Sequence, residues 1–332
     1  MSKSEPVVWS VSFRRERQDT WRELEDLVNR CERDGLANMS ADKLARLPVL
    51  YRATVSALGV ARSSLLDQNL RDYLEALVAR SYLVVYSPKR AVGQVLREFL
   101  IGGFAESVRS IRWHVLVAFL VLLVGGAISF AMVSNDSSSY YMFVDRGLAG
   151  GRDPMATTEE LRETLFATQD YQGLVTFAVM LFTHNSSVGI LAYGLGFALG
   201  MPVLLLLLQT GMMLGGMTAL FHSRGLAIEW WSWILPHGVT ELSAIVLCGA
   251  AGLAIGQRVI FPGRDSRAVA MAKIGRSMGA VIAGSVAMLL VAGIVEGIFR
   301  QVVQSIPLRY LLAVTFTVLW TAYFCMAGRK SR

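Results

Sequence analysis

Along the first third of the chain apolar residues recur at three- and four-residue intervals, whereas from His114 onward they run unbroken through stretches long enough to cross a bilayer. In DTWRELEDLVNRCERDG, Trp21, Leu24, Leu27, Val28 and Cys31 form one stripe opposed by Arg, Glu and Asp, which predicts an amphipathic helix stopped by Gly35. A second helix restarts behind Ser40 as cap, with Pro48 in an early turn or at a break between two helices. A third runs from about Asn69 to Tyr86, and residues 89–111 form one or two amphipathic helices ahead of the membrane.

The run His114–Val133 matches the roughly 20 residues needed to cross a hydrocarbon core of about 30 Å. From Tyr171 to Phe221 there is no Asp, Glu, Lys or Arg, which is too long for one crossing and predicts a hairpin turning at Gly200-Met201-Pro202. Residues 223–235 read as an interfacial segment in which Trp230, Trp231 and Trp233 make an aromatic belt. Further spans are expected at about 236–255, 278–299 and 308–327. The expected fold is therefore all-α: a polytopic bundle of about six spans over residues 113–332, with an outer loop at 134–170, behind a cytoplasmic helical domain at 1–112.

Composition agrees, with 54% hydrophobic and 17% charged residues. The net charge of +7 would suggest nucleic acid if it gathered on one soluble face, but its distribution follows the spans instead. Residues 1–112 carry 18 basic and 14 acidic groups, residues 134–170 three and seven, and residues 257–277 five and one. By the positive-inside rule both termini are cytoplasmic and the acidic loop is outside, with no nucleic-acid partner expected. The start of the chain lacks a signal-peptide pattern, so no cleavage is expected. Cys31, Cys248 and Cys325 have no paired spacing and read as packing residues. The spacings Gly196-xxx-Gly200, Gly211-xxx-Gly215 and Gly252-xxx-Gly256 read as close helix contacts within the bundle, with a homo-oligomer face as the alternative.

The chemistry concentrates in LPHGVTELSAI, residues 235–245. Pro236 suits a first helical turn, and His237 and Glu241 are four apart on one face, with Gly238 between them. On that reading Glu241 sits about 8 Å inside the helix start, favoured by its positive end. The pair is open to three readings: a polar clamp holding the span, a proton, ion or substrate site, or two ligands of a metal site whose third would be His184 or His222. Depth decides between the last two residues. If the span starts at Tyr171, His184 lies too deep for Glu241; if residues 171–183 lie along the interface, then His184, Asn185, His222, His237 and Glu241 form an outer polar cluster. Gln209 is expected to hydrogen-bond between helices, and Glu296 to pair with Arg300 at the interface. No phosphate-cradling loop, nucleophile elbow, HExxH motif or cofactor signature is present, so neither an enzyme nor a cofactor is expected.

The segments LPVLYRATVSALGVARS, YLEALVARSYLVVYSP and REFLIGGFAESVRSIRWHV, with FTHNSSVGILAYGLGFALG, LQTGMMLGG and LPHGVTELSAIVLCGAAGLAIG in the membrane part, resemble the stage II sporulation protein M family in its long N-terminal version. The sequence departs at IGGFAESVR, where members often carry Phe-Pro before the arginine step. The resemblance implies a non-enzymatic membrane scaffold: the founding member recruits peptidoglycan-degrading enzymes, and members with this N-terminal region suggest a partnership with a MoxR-type ATPase system. A transporter or lipid-handling protein built around Glu241 is the alternative, with an intramembrane metal hydrolase as a weaker third reading; the resemblance implies a bacterial inner membrane.

Overall fold

The structure, a computed structural model, describes residues 5–34, 39–63, 67–86, 92–166, 171–299 and 302–329, and all its regular elements are helical. The chain divides into two units, Met1–Val95 and Leu96–Arg332. The sequence pattern places the division at 112; residues 96–111 instead carry Phe104, Val108 and Ile111 into the core of the second unit.

The first unit packs α1 (Glu5–Asp34), α2 (Ala41–Ser63) and α3 (Gln68–Tyr86) around one apolar core. Trp21, Leu24, Val28 and Cys31, the stripe seen in the sequence, meet Leu47, Leu50 and Ala61 of α2 and Leu74 and Leu77 of α3. Pro48 lies inside α2 without breaking it. Gly35 falls outside the described residues. Polar links tie the helices at the rim: Tyr73 Oη donates to Glu25 Oε2 at 2.9 Å, and Arg80 Nη2 donates to Asn29 Oδ1 and Glu32 Oε2, both at 2.6 Å.

The boundary falls within α4 (Val92–Glu98), and the second unit continues through a π-helical turn (Phe99–Gly103) and α5 (Phe104–Ser110). Then come α6 (Arg112–Asn135), three short helices α7 (Tyr140–Phe143), α8 (Arg146–Ala149) and α9 (Thr158–Phe166), α10 (Tyr171–Gly194) and α11 (Met201–Ser223). The last three helices are α12 (Ala227–Ile260), α13 (Arg267–Ile294), extended by a π-helical turn (Val295–Phe299), and α14 (Ile306–Met326). Among the described residues six helices are long and apolar enough to cross a membrane, so this is a multi-pass membrane protein. The hairpin turns where glycine and proline suggest: Leu199 and Gly200 adopt left-handed φ values of 63° and 79°, and Pro202 opens α11.

The spaced glycines are spent inside the bundle. A side chain at Gly211 or Gly215 would strike the α6 backbone at Leu122 or Gly126, and one at Gly196 would strike Gly252 of α12. Backbones thus approach closely enough for dispersion contacts to hold α6 on α11 and α10 on α12, which lipid alone would not enforce. At the end reached by α6, residues 136–166 cap the bundle: Tyr140, Phe143, Leu161 and Leu165 share a core with Phe221, Leu226, Trp230 and Trp233. The cap is pinned by Tyr140 Oη on the Arg152 carbonyl at 2.8 Å and by Arg224 on the Pro154 carbonyl at 2.6 Å. Burial pushes the Tyr140 phenol well above its usual range.

Candidate functional site

The tryptophan-rich approach is part of the helix. α12 runs unbroken for 34 residues, about 51 Å, so it exceeds a hydrocarbon core by some 20 Å. Pro236 is therefore interior rather than in a first turn, and its missing N–H leaves the Ser232 carbonyl without an intrahelical donor. The expected belt is not formed as such. Trp230 is fully buried, stacked at 4.4 Å on Phe221 with its indole N–H on Thr218 Oγ1 at 3.0 Å; Trp233 is also buried, and only Trp231 is partly exposed.

The new helix start changes the depth of Glu241. It lies 14 residues beyond Ala227, about 21 Å along the axis, so the helix-dipole argument based on a start at Pro236 fails. His184 lies 13 residues beyond Tyr171, about 20 Å along α10, which runs parallel to α12 with Gly189 against Cys248 and Gly196 against Gly252. The two residues share a level: α10 starts at Tyr171, one of the two alternatives left open by the sequence, and α12 starts nine residues before Pro236, so His184 is not too deep for Glu241.

Together they border a cavity of about 400 Å³. Leu181, His184, Asn185 and Val188 of α10 line one wall, Gln209, Thr210 and Met213 of α11 another, and Trp233, His237, Gly238 and Glu241 of α12 a third. Phe143, Asp145 and Arg152 of the capping segment also line it. The Arg152 guanidinium stands 4.5 Å from the Trp233 ring, whose face meets the His237 ring edge-on at 5.7 Å. The cap thus reaches the intramembrane histidine through one aromatic ring. Within the cap, Tyr141 Oη and the Met155 N–H both donate to Asp153, which holds that carboxyl below its usual range.

Glu296 is the residue that sequence reasoning misplaces. It is 7% exposed and lies at the cavity, with Oε2 3.9 Å from His237 Nε2, whereas its spacing predicts an interfacial pair with Arg300. Arg300 lies outside the described residues. One ligand-capable atom from each of His237, Glu241 and Glu296 falls within 4.8 Å of the other two. The π-helical turn at Val295–Phe299 places Glu296 there, and Gly297 lets that turn press on Ala178 of α10. A lone carboxylate in the most apolar part of α13 is the available signal, because embedded charges face the bundle interior.

The other expected site residues divide. His184 and Gln209 border the cavity but are exposed, and Asn185 is partly buried. His222, a possible third ligand by sequence, closes α11 against the Phe130 ring at 5.7 Å and does not line the cavity.

Fold and site define a polytopic α-helical membrane protein with a histidine and two carboxylates at the wall of a half-open cavity between its helices. The family model for stage II sporulation protein M matches residues 91–299, and the chain belongs to that family, which is not known as a family of enzymes. A separate model, a domain of unknown function, matches residues 11–87. No curated protein and no solved structure matches the chain.

Proposed function

We propose that this chain is a membrane transporter whose second unit accepts a small charged solute from the capped end of the bundle. The observation that carries this reading is the cavity of about 400 Å³ with His237, Glu241 and Glu296 at its inner wall. Besides facing one another, these groups border space that a small solute could enter, and intramembrane ionisable groups of this kind mark solute and ion paths. The charge distribution along the chain supports a cytoplasmic N-terminal unit in a bacterial inner membrane, with the capped end outside. The test is flux in proteoliposomes, using cation-sensitive dyes and fluorescent lipid, for the wild-type chain and Glu241→Gln. Flux that depends on Glu241 supports transport; absence of flux for ions, solutes and lipids alike refutes it.

A second reading, recruitment of partner proteins, is favoured by the N-terminal unit, a separate helical bundle with its own family model and a charged outer face. Its partners would be envelope or cytoplasmic proteins, of which peptidoglycan hydrolases and a MoxR-type ATPase system are the kinds the family suggests. Affinity purification from membranes that reproducibly yields the chain alone would count against recruitment.

A further inference from the structure

We propose that His237, Glu241 and Glu296 form a binding site for a divalent first-row transition cation such as Zn²⁺, with one coordination position facing the cavity. The proposal names the solute for the cavity described above and rests on reading that cavity as a solute site.

His237 and Glu241 stand one turn apart on α12, so a single rigid helix presents two ligands on one face. Glu296 approaches from the π-helical turn after α13, and His237 and Glu296 are 5% and 7% exposed. Their ligand atoms lie within 4.8 Å of one another. A zinc ion about 2.1 Å from three tetrahedral ligands needs separations of roughly 3.4 Å, so side-chain rotations closing up to about 1.4 Å complete the set.

Charge supplies an independent argument. Two carboxylates this close in an apolar bundle repel strongly, and a divalent cation cancels both while leaving the imidazole neutral as a ligand. Among the described residues His184, Asp145 and Arg152 also line the cavity; the last two belong to the cap, and the Arg152 guanidinium lies over the Trp233 ring.

Donor type narrows the ion. One imidazole nitrogen with two carboxylate oxygens suits Zn²⁺, Mn²⁺ or Fe²⁺, whereas Ca²⁺ and Mg²⁺ take all-oxygen sets and Cu⁺ prefers sulfur. Three protein ligands leave a fourth position, and the adjoining cavity is where it would open.

The test uses tag-free full-length protein, purified in detergent and stripped with chelator, titrated with Zn²⁺ by calorimetry. One ion per chain is expected, with affinity lowered about 100-fold or more in Glu296→Gln and His237→Ala, since loss of even an outer partner of a ligand costs 10- to 100-fold. His222→Ala, which alters a histidine outside the cavity, should bind as the wild type does. Zinc-edge X-ray absorption on the wild-type protein is expected to show a nitrogen and oxygen shell with one imidazole and no sulfur, a readout independent of whether the variants fold. No binding by the wild type, full binding by Glu296→Gln, or a shell containing sulfur or several imidazoles would overturn the proposal. Zinc binding without any flux would overturn transport and leave the site standing. Glu241-dependent flux of another solute in a protein that binds no metal would do the reverse.

Discussion

Replacing Gly297 by alanine tests the contact that positions Glu296. A Cβ at this position would fall 2.7 Å from Ala178 Cα and 3.0 Å from Ala178 N, where carbon contacts normally lie at about 3.5–4.0 Å. The obstruction is backbone, so no side-chain rotation relieves it, and the π-helical turn must move off α10 by about 1 Å. Overpacking of this kind costs about 1–3 kcal/mol. Gly279, on the same helix, faces open space, with no neighbouring atom within 4 Å of an added methyl, so Gly279→Ala should meet no clash and gain up to about 1 kcal/mol of helix propensity. Thermal unfolding of both variants in the same detergent should therefore shift in opposite directions, by a few degrees each. The displacement also carries Glu296 relative to His237, so Gly297→Ala should weaken zinc binding while Gly279→Ala leaves it intact. Equal melting temperatures for the two variants would refute the claim that α10 and the π-helical turn meet backbone to backbone.

Trp230→Ala should cost about 3–5 kcal/mol, because it empties a fully buried site and removes both the stack on Phe221 and the bond to Thr218; thermal unfolding measures it. In the N-terminal unit, burial and then the hydrogen bond to Glu25 push the Tyr73 phenol up to about 12. Since the folded value exceeds the unfolded one of about 10, the stabilisation is complete below pH 10 and disappears as pH rises through 12; Tyr73→Phe should abolish that part of the pH dependence of unfolding. Arg80→Ala removes bonds to Asn29 and Glu32 at an exposed rim and should cost no more than about 1 kcal/mol by chemical denaturation.

The spans, the hairpin turn and the three-helix stripe are legible because each depends on local periodicity or on the length of an apolar run. Helix starts are less so. Pro236 looks like a beginning because proline favours a first turn, yet Trp230 and Trp233 find buried partners on Phe221 and Arg152, and that tertiary packing carries α12 nine residues further back. The difference in depth that the sequence assigns to His184 and Glu241 disappears with that shift.

Glu296 shows a different limit. Its spacing to Arg300 offers a local partner, and local pairing competes with a long-range one that only the fold reveals. Two facts in the sequence nonetheless bear on the choice. His237 lies early in α12 and Glu296 late in α13, so the short connection between these antiparallel helices brings both to the same end of the bundle. Glu296 is also the sole charged residue between Arg276 and Arg300. A carboxylate isolated in so apolar a run is costly facing lipid, and the inward face it must take is the one that α12 also borders. Topology and the cost of burying charge together select His237 and Glu241 as its neighbours, which neither the i, i+4 rule nor the span boundaries could do alone.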